Sequence, residues 1–399
     1  MRRPTWMLLL TLSAGNVFAQ TTSNVPVVNN EQPLWTQGRE WRVADRPTVD
    51  IGTAEGAPEY ELSNIRGVLR LSDGTIVVAN QQSELRYYDR NGKYIRTAGR
   101  KGEGPGEFFQ IQGLTQLRDG NIGVDDFRHG IQVYSPDGKF VRRYPMPNAD
   151  GFPPLVVFDD GTMILGDWPQ GRRGATAIHT DSMDLKRFPP GGREQIVGRF
   201  PAVRFAQTSL GRSTHMQFSP VLMQFARGQT WFLGFPEKWE IVQLTAAGKP
   251  VRVIRRAWQP VEITASDRQA YRDAMVNRPG EGGGSVSPRI RAQREAIYAD
   301  DMFAKTLPAY GGIYVDAVGN LWTMEPLRPR DMPTAARFND TNDKPRAWSV
   351  FDPSGRWLGQ VQTPANFLVF EIGADYIIGL WRDEVDVEHV RQYALIKPR

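Results

Sequence analysis

Between residues 73 and 142 apolar residues alternate with polar or small ones in short runs, and each run is punctuated by glycine. Ile76, Val78, Tyr88 and Tyr94, set around Asp73-Gly74 and Gly92, recur as Ile122, Val124, Tyr134 and Phe140 around Asp119-Gly120 and Gly138, every pair offset by 46. Alternation with period two predicts strands with one buried face. The Asp-Gly pairs predict tight turns between them. One unit therefore reads as four strands, about residues 113–117, 121–125, 131–135 and 139–144. A single four-stranded sheet cannot bury its apolar face alone, so it must stack on copies of itself, and a repeat of this length is that of a β-propeller blade.

First-turn signals recur at Gly74, Gly120, Gly161, Gly228, Gly319 and Ala374-Asp375, and second-turn signals at Gly92, Gly138, Gly248 and Gly355. The count predicts an all-β fold, a six-bladed β-propeller spanning residues 39–399. The sixth unit runs out of chain after its third strand, near residues 391–397. Residues 39–52, with Trp41, Val43, Val49 and Ile51, are expected to supply the missing outer strand, where Pro47 can sit because an edge tolerates a lost donor. Such N-terminal strand closure also removes an exposed sheet edge. One insertion, residues 263–310, departs from strand periodicity. Ser266 and Gln269 read as a capping box opening a helix to about Val276, and Ser287-Pro288 opens a second helix to about Phe303, predicting an inserted helical hairpin.

Composition narrows the setting. Arg2 and Arg3 precede an apolar run from Trp6 to Ala14, and Val17-Phe18-Ala19 has the small residues of a cleavage site, so residues 1–19 read as a cleaved signal peptide and 20–38 as a flexible lead-in. A periplasmic or secreted location follows, with no transmembrane segment, because the apolar run is shorter than the roughly 20 residues a span needs. The chain has no Cys, which excludes disulfides, thiol chemistry and Cys-ligated zinc. Its net charge of +5 is dispersed over 49 basic residues, and no basic stripe interleaved with aromatics marks a nucleic-acid partner.

Residues 99–108, Gly-Arg-Lys-Gly-Glu-Gly-Pro-Gly-Glu-Phe, followed by Gly113-Leu114, Asp119-Gly120-Asn121-Ile122-Gly123-Val124-Asp125-Asp126 and Ile131-Gln132-Val133-Tyr134, resemble an NHL-type repeat. The Gly-Pro-Gly-Glu-Phe run further resembles exported bacterial proteins described as six-bladed β-propellers. The resemblance covers residues 60 to 145. It implies the fold and leaves the chemistry open, since such propellers serve as binding scaffolds and as enzymes. Some amidating lyases with NHL-like propellers hold a metal through several axial histidines. The four histidines here do not share one repeated blade position, so no metal ligand set is assigned.

Topology divides the disc into two faces. Short Asp-Gly turns share one; second-to-third loops and crossovers share the other, which is expected to receive residues 99–112, 188–220, 263–310 and 326–346. Loops with insertions on a rigid face are the usual seat of binding. At the end of the second strands there, Asn80, Asp126, Asp167 and Glu325 occupy equivalent positions, with Arg128, His129 and Arg328 just beyond and Trp168 beside Asp167. Carboxylates on neighbouring blades suit calcium through oxygen ligands, or one acid raised by the next; each equally suits capping its own loop through backbone N–H groups. The arginines suit a carboxylate or phosphate and Trp168 suits ring stacking. No cofactor is called for. The sequence thus points to an exported binding or assembly scaffold that meets a protein, a small anionic molecule or a glycan on its insertion-rich face. The alternative is a propeller enzyme, a metal-assisted lyase or hydrolase or a glycan-active protein, working at the axial mouth.

Overall fold

The computed structural model describes residues 25–81, 83–146, 154–171, 178–279, 285–332 and 341–398. The signal-peptide assignment, Arg172 and Arg173 lie outside them.

The described residues form six sheets, antiparallel but for one added N-terminal strand, one per predicted unit. Blade 1 comprises Gly67–Arg70, Ile76–Asn80, Glu84–Tyr88 and Tyr94–Ala98, and blade 2 repeats it as Ile111–Gln116, Ile122–Asp126, Gly130–Tyr134 and Phe140–Tyr144. These strands lie within two residues of the sequence expectation. At Gly120 and Gly138 the turns hold φ near +81° and +83°, a conformation that side-chain-bearing residues rarely adopt. Blades 4 and 5 run from Met223 to Arg256 and from Gly312 to Thr363. Blade 6 contributes only Phe367–Ile372, Tyr376–Arg382 and Glu388–Ile396.

Each neighbouring pair of blades traps its own apolar layer, and the series closes on itself. Tyr87 and Val124 lie between blades 1 and 2, Val133 and Met163 between 2 and 3, and Phe200 and Trp231 between 3 and 4. Trp239 and Phe351 join 4 to 5, Trp322 and Tyr393 join 5 to 6, and Val78 and Leu380 join 6 back to 1. Trp231, Trp239 and Trp322 are therefore core. Full burial of each such side chain contributes about 1.5–3 kcal/mol, so six layers stabilise a ring that no blade could sustain alone.

The chain's beginning fastens its end, in two pieces. Arg42–Val43 pairs antiparallel with Leu395 and Ile396, and Val49–Ile51 with Val390–Gln392. The expected strand is split because residues 45–47 leave the ladder between Ala44 N, bonded to Ala394 O at 2.9 Å, and Thr48 N, bonded to Gln392 O at 2.7 Å. Pro47, lacking an N–H, falls in that gap.

The lead-in to this closure is also built in. Val27–Asn30 adds in parallel to the outer strand of blade 4, and Leu34 N and Trp35 N donate to Trp357 O and Leu358 O of blade 5. Buried Asn30 donates to Arg255 O at 2.9 Å and Gly355 O at 3.0 Å, and accepts from Trp357 N at 2.8 Å. Trp35 packs on Gly359, where any Cβ would collide with the indole, and its ring lies 5.1 Å from that of Trp41. Residues 27–51 thus strap blades 4, 5 and 6 from outside. Alternation was a poor guide here, since a short Val-Val-Asn-Asn edge strand is held by backbone and amide bonds.

Two further expectations are corrected. Residues 188–220 are not a crossover: most belong to blade 3, whose third and fourth strands, His179–Phe188 and Gln195–Gln207, form a long hairpin with Ser213–His215 added outside. The helical insertion is present as α1, Ala265–Asn277, and α2, Pro288–Ile297. The capping box of α1 is Thr264 with Asp267, not Ser266 with Gln269: Thr264 Oγ1 accepts from Asp267 N and the Asp267 carboxylate accepts from Thr264 N. Ser287 caps α2 as expected, and the helix stops at Ile297, before a short 3-10 turn at Asp300–Met302.

Candidate functional site

The second strands end on the insertion-rich face, and in blades 1 and 2 their terminal polar residues are committed to local loops. Asn80 is fully buried, accepting from Ser63 N at 2.8 Å and donating to Glu84 at 2.8 Å. Fully buried Asp126 accepts four backbone N–H groups, from Phe109 at 2.8 Å, Gln110 at 3.2 Å, Arg128 at 3.2 Å and His129 at 3.0 Å. That arrangement pins the Gly-rich crossover to blade 2. Asp126 is a loop cap with little spare capacity for a ligand.

Beside it, His129 Nε2 lies 3.0 Å from Glu103, and its Nδ1 is 3.2 Å from Asp126 in an ion-pair contact without hydrogen-bond geometry. Arg128 also reaches Glu103 at 3.1 Å and stacks 4.0 Å above the Phe109 ring. Glu103 is held below the usual carboxylate range, first by its hydrogen bond to His129 and then by the charge of Arg128. These three form one cluster that ties the crossover down.

The remaining candidates sit elsewhere. Asp167 pairs with Lys186 at 3.1 Å, and Trp168 lies half-buried with its ring 6.3 Å from His215. Glu325 receives Arg256 at 2.6 and 3.3 Å and Ser349 Oγ at 2.7 Å, while the guanidinium lies 5.1 Å from the Trp239 ring and 4.9 Å from that of Trp357. Arg328 donates to Asp267 at 3.0 Å, with Arg330 3.3 Å from the same carboxylate, which locks α1 to the loop between the second and third strands of blade 5. Phe218, Tyr271 and Phe303 add an aromatic seam beneath the hairpin, with rings 4.9 to 6.2 Å apart. The eight predicted residues therefore fall into five separate groups. Among the described residues, no three His, Asp or Glu side chains come together to hold a metal.

The residue missed in sequence is Asp125. Its Oδ1 is buried without a partner, and burial, with Asp126 adjacent, pushes its pKa up to about 8. Across the ladder it faces Gly113, where a Cβ would meet nothing within 4 Å. An acid kept neutral beside open space is chemically poised in a way Asp126 is not. The Asp125-Asp126 doublet was the available signal, but alternation could not say which member faced solvent and which the loop.

Comparison with protein families agrees on a propeller architecture. A family model described as a 6-bladed beta-propeller matches residues 55–150. No curated protein matches the chain. Among solved structures, a putative exported protein of Bacteroides fragilis NCTC 9343 is 12% identical, covering 94% of this chain and 100% of its own at a TM-score of 0.49. A member of the DUF4221 family from Bacteroides vulgatus ATCC 8482 is 10% identical, covering 91% and 100% at 0.47. A gluconolactonase of Xanthomonas campestris is 16% identical, covering 92% and 100% at 0.39.

Proposed function

We propose that this chain is an exported binding scaffold whose partner docks on the insertion-rich face. The observation that carries the reading is how that face is built. The Gly-rich crossover and the helical hairpin are each anchored to the ring by a buried aspartate, Asp126 and Asp267, that spends its acceptors on fixing loop geometry. Rigid presentation of projecting elements serves recognition, because little ordering entropy is lost on binding. The candidate residues do not converge, which weighs against a shared metal or an acid–base pair among them. The exposed surface of α2, Ile290 included, is open to a partner protein.

Photo-crosslinking tests this reading. A crosslinking residue replacing exposed Ile290 on α2 is expected to yield a discrete adduct in the native envelope extract, and the same residue replacing exposed Val318, on the short-turn face, is expected to yield none. Adducts at Val318 alone would overturn the assignment of faces. A rise in melting temperature on adding calcium or zinc would favour the metal-dependent enzyme instead.

A further inference from the structure

The innermost strands of all six blades enclose a cavity of about 750 Å³ on the axis of the ring. Gly120, Gly228 and Gly319, all turn residues, belong to its rim, so its mouth lies on the short-turn face, opposite the helical hairpin. Such a volume is within the roughly 300–1,000 Å³ of small-molecule sites. It would hold about 25 waters at liquid density.

Its wall is mixed in an informative way. Leu114, Phe225 and Phe370 supply apolar surface. Between them stand Thr115, Gln116, Gln224 and Gln243, whose side chains make no hydrogen bond with another described residue. Gln224 and Gln243 each leave Oε1 buried with no partner at all. Buried amides are normally satisfied, so side-chain groups left open along one cavity are available to solvent or to a ligand that enters it.

Charge is handled the opposite way. Arg227 reaches from blade 4 to Glu371 of blade 6 at 3.1 Å, and that carboxylate also accepts from Arg70 N at 2.8 Å and Tyr376 Oη at 3.2 Å. Arg118 pairs with Asp159 at 3.0 Å. Asp316 accepts from Val318 N, Asn320 N, Asn320 Nδ2 and Trp322 Nε1. An ionic ligand would find every fixed charge on the wall already matched. Neutral hydroxyls, which donate and accept as amides do, would find open partners.

We propose that the axial cavity binds a neutral polyhydroxylated small molecule, of mono- to disaccharide size, through Gln116, Gln224 and Gln243, with its C–H faces against Leu114, Phe225 and Phe370. The site lies at the other end of the ring from the proposed docking face and does not depend on it. The two ideas fail separately.

Saturation-transfer NMR on the full mature chain, with glucose, maltose, N-acetylglucosamine and chitobiose as probes, tests the proposal. At least one probe is expected to receive saturation from the wild type. Gln224→Leu, which removes the amide at nearly constant volume, is expected to weaken that probe's binding by about tenfold. Gln116→Trp, which fills the cavity from a half-buried position, is expected to abolish it. Thermal melts of both variants separate loss of binding from loss of fold. Absence of signal from all four probes with folded wild type would mean that the cavity holds solvent only, and the proposal falls. Undiminished binding in folded Gln116→Trp, or stronger binding of triglycine than of any sugar, would equally overturn it.

Discussion

Replacing Glu325 with Ala removes the partner of one of the most enclosed cations in the ring. The Arg256 side chain is 7% exposed and joins blade 4 to blade 5 through two contacts with Glu325, one with Ser349 Oγ and two aromatic faces. Without the carboxylate, a guanidinium shielded from water keeps only a hydroxyl and the rings, and its Nε is already unpartnered. Breaking a buried pair costs about 3–5 kcal/mol, and the Glu325 side chain, 23% exposed, leaves a path for water that favours the lower end. About 3 kcal/mol in a chain of this size corresponds to a fall in melting temperature of about 4 °C. Urea denaturation and calorimetry of Glu325→Ala, Arg256→Met and the double variant Arg256→Met/Glu325→Met read the effect. The double variant is expected to recover most of the loss, because no charge is then stranded. A loss below about 1 kcal/mol for Glu325→Ala, or a double variant worse than either single one, would refute the reasoning.

Other consequences follow from the same contacts. Asn30→Ala removes three hydrogen bonds clipping the N-terminal strap to blades 4 and 5, and is expected to cost about 2–3 kcal/mol in urea denaturation. Gly359→Ala would drive a Cβ into the Trp35 ring, so its signature is a change in tryptophan emission as the strap lifts, with blades 1 to 3 keeping their hydrogen-exchange protection. Asp125 titrates near 8 in the folded chain and near its ordinary value when unfolded, so the folded state binds the extra proton between those values and stability falls as pH rises from about 4 to 8. Asp125→Asn is expected to flatten that slope, and an unchanged pH profile of the melting temperature would contradict the assignment. Asp267→Ala removes the carboxylate half of the α1 capping box and two arginine contacts at once, and limited proteolysis should then cut within the hairpin ahead of the ring.

Blades 1 and 2 were legible because each residue class in the repeat answers one local demand: glycine for turn backbone, alternating Ile and Val for a buried face. Helix starts were legible in kind and misplaced once, since Thr264 and Asp267 carry the same cap chemistry as Ser266 and Gln269, two residues earlier. The outer half of blade 3 escaped because its long hairpin, 179–207, lacks the glycine spacing of the repeat. The candidate site was legible only as positions. Alignment of Asn80, Asp126, Asp167 and Glu325 located four equivalent strand ends, but equivalent points on a ring are spread around it, and each side chain has partners of its own. The axial cavity was hidden for the complementary reason, since Gln116, Gln224 and Gln243 share neither a motif nor a spacing.

The account depends on a ring whose first strands complete its last blade. Val43 stands directly opposite Leu395, next to the hydrogen-bonded pair of Ala44 and Ala394, where paired side chains approach closely enough for a disulfide. Because the natural chain has no Cys, the variant Val43→Cys/Leu395→Cys gives an unambiguous readout. Closure predicts a quantitative intramolecular disulfide under mild oxidation, with a melting temperature above that of the reduced form. Thiols that stay free, or that link only between molecules, would contradict it.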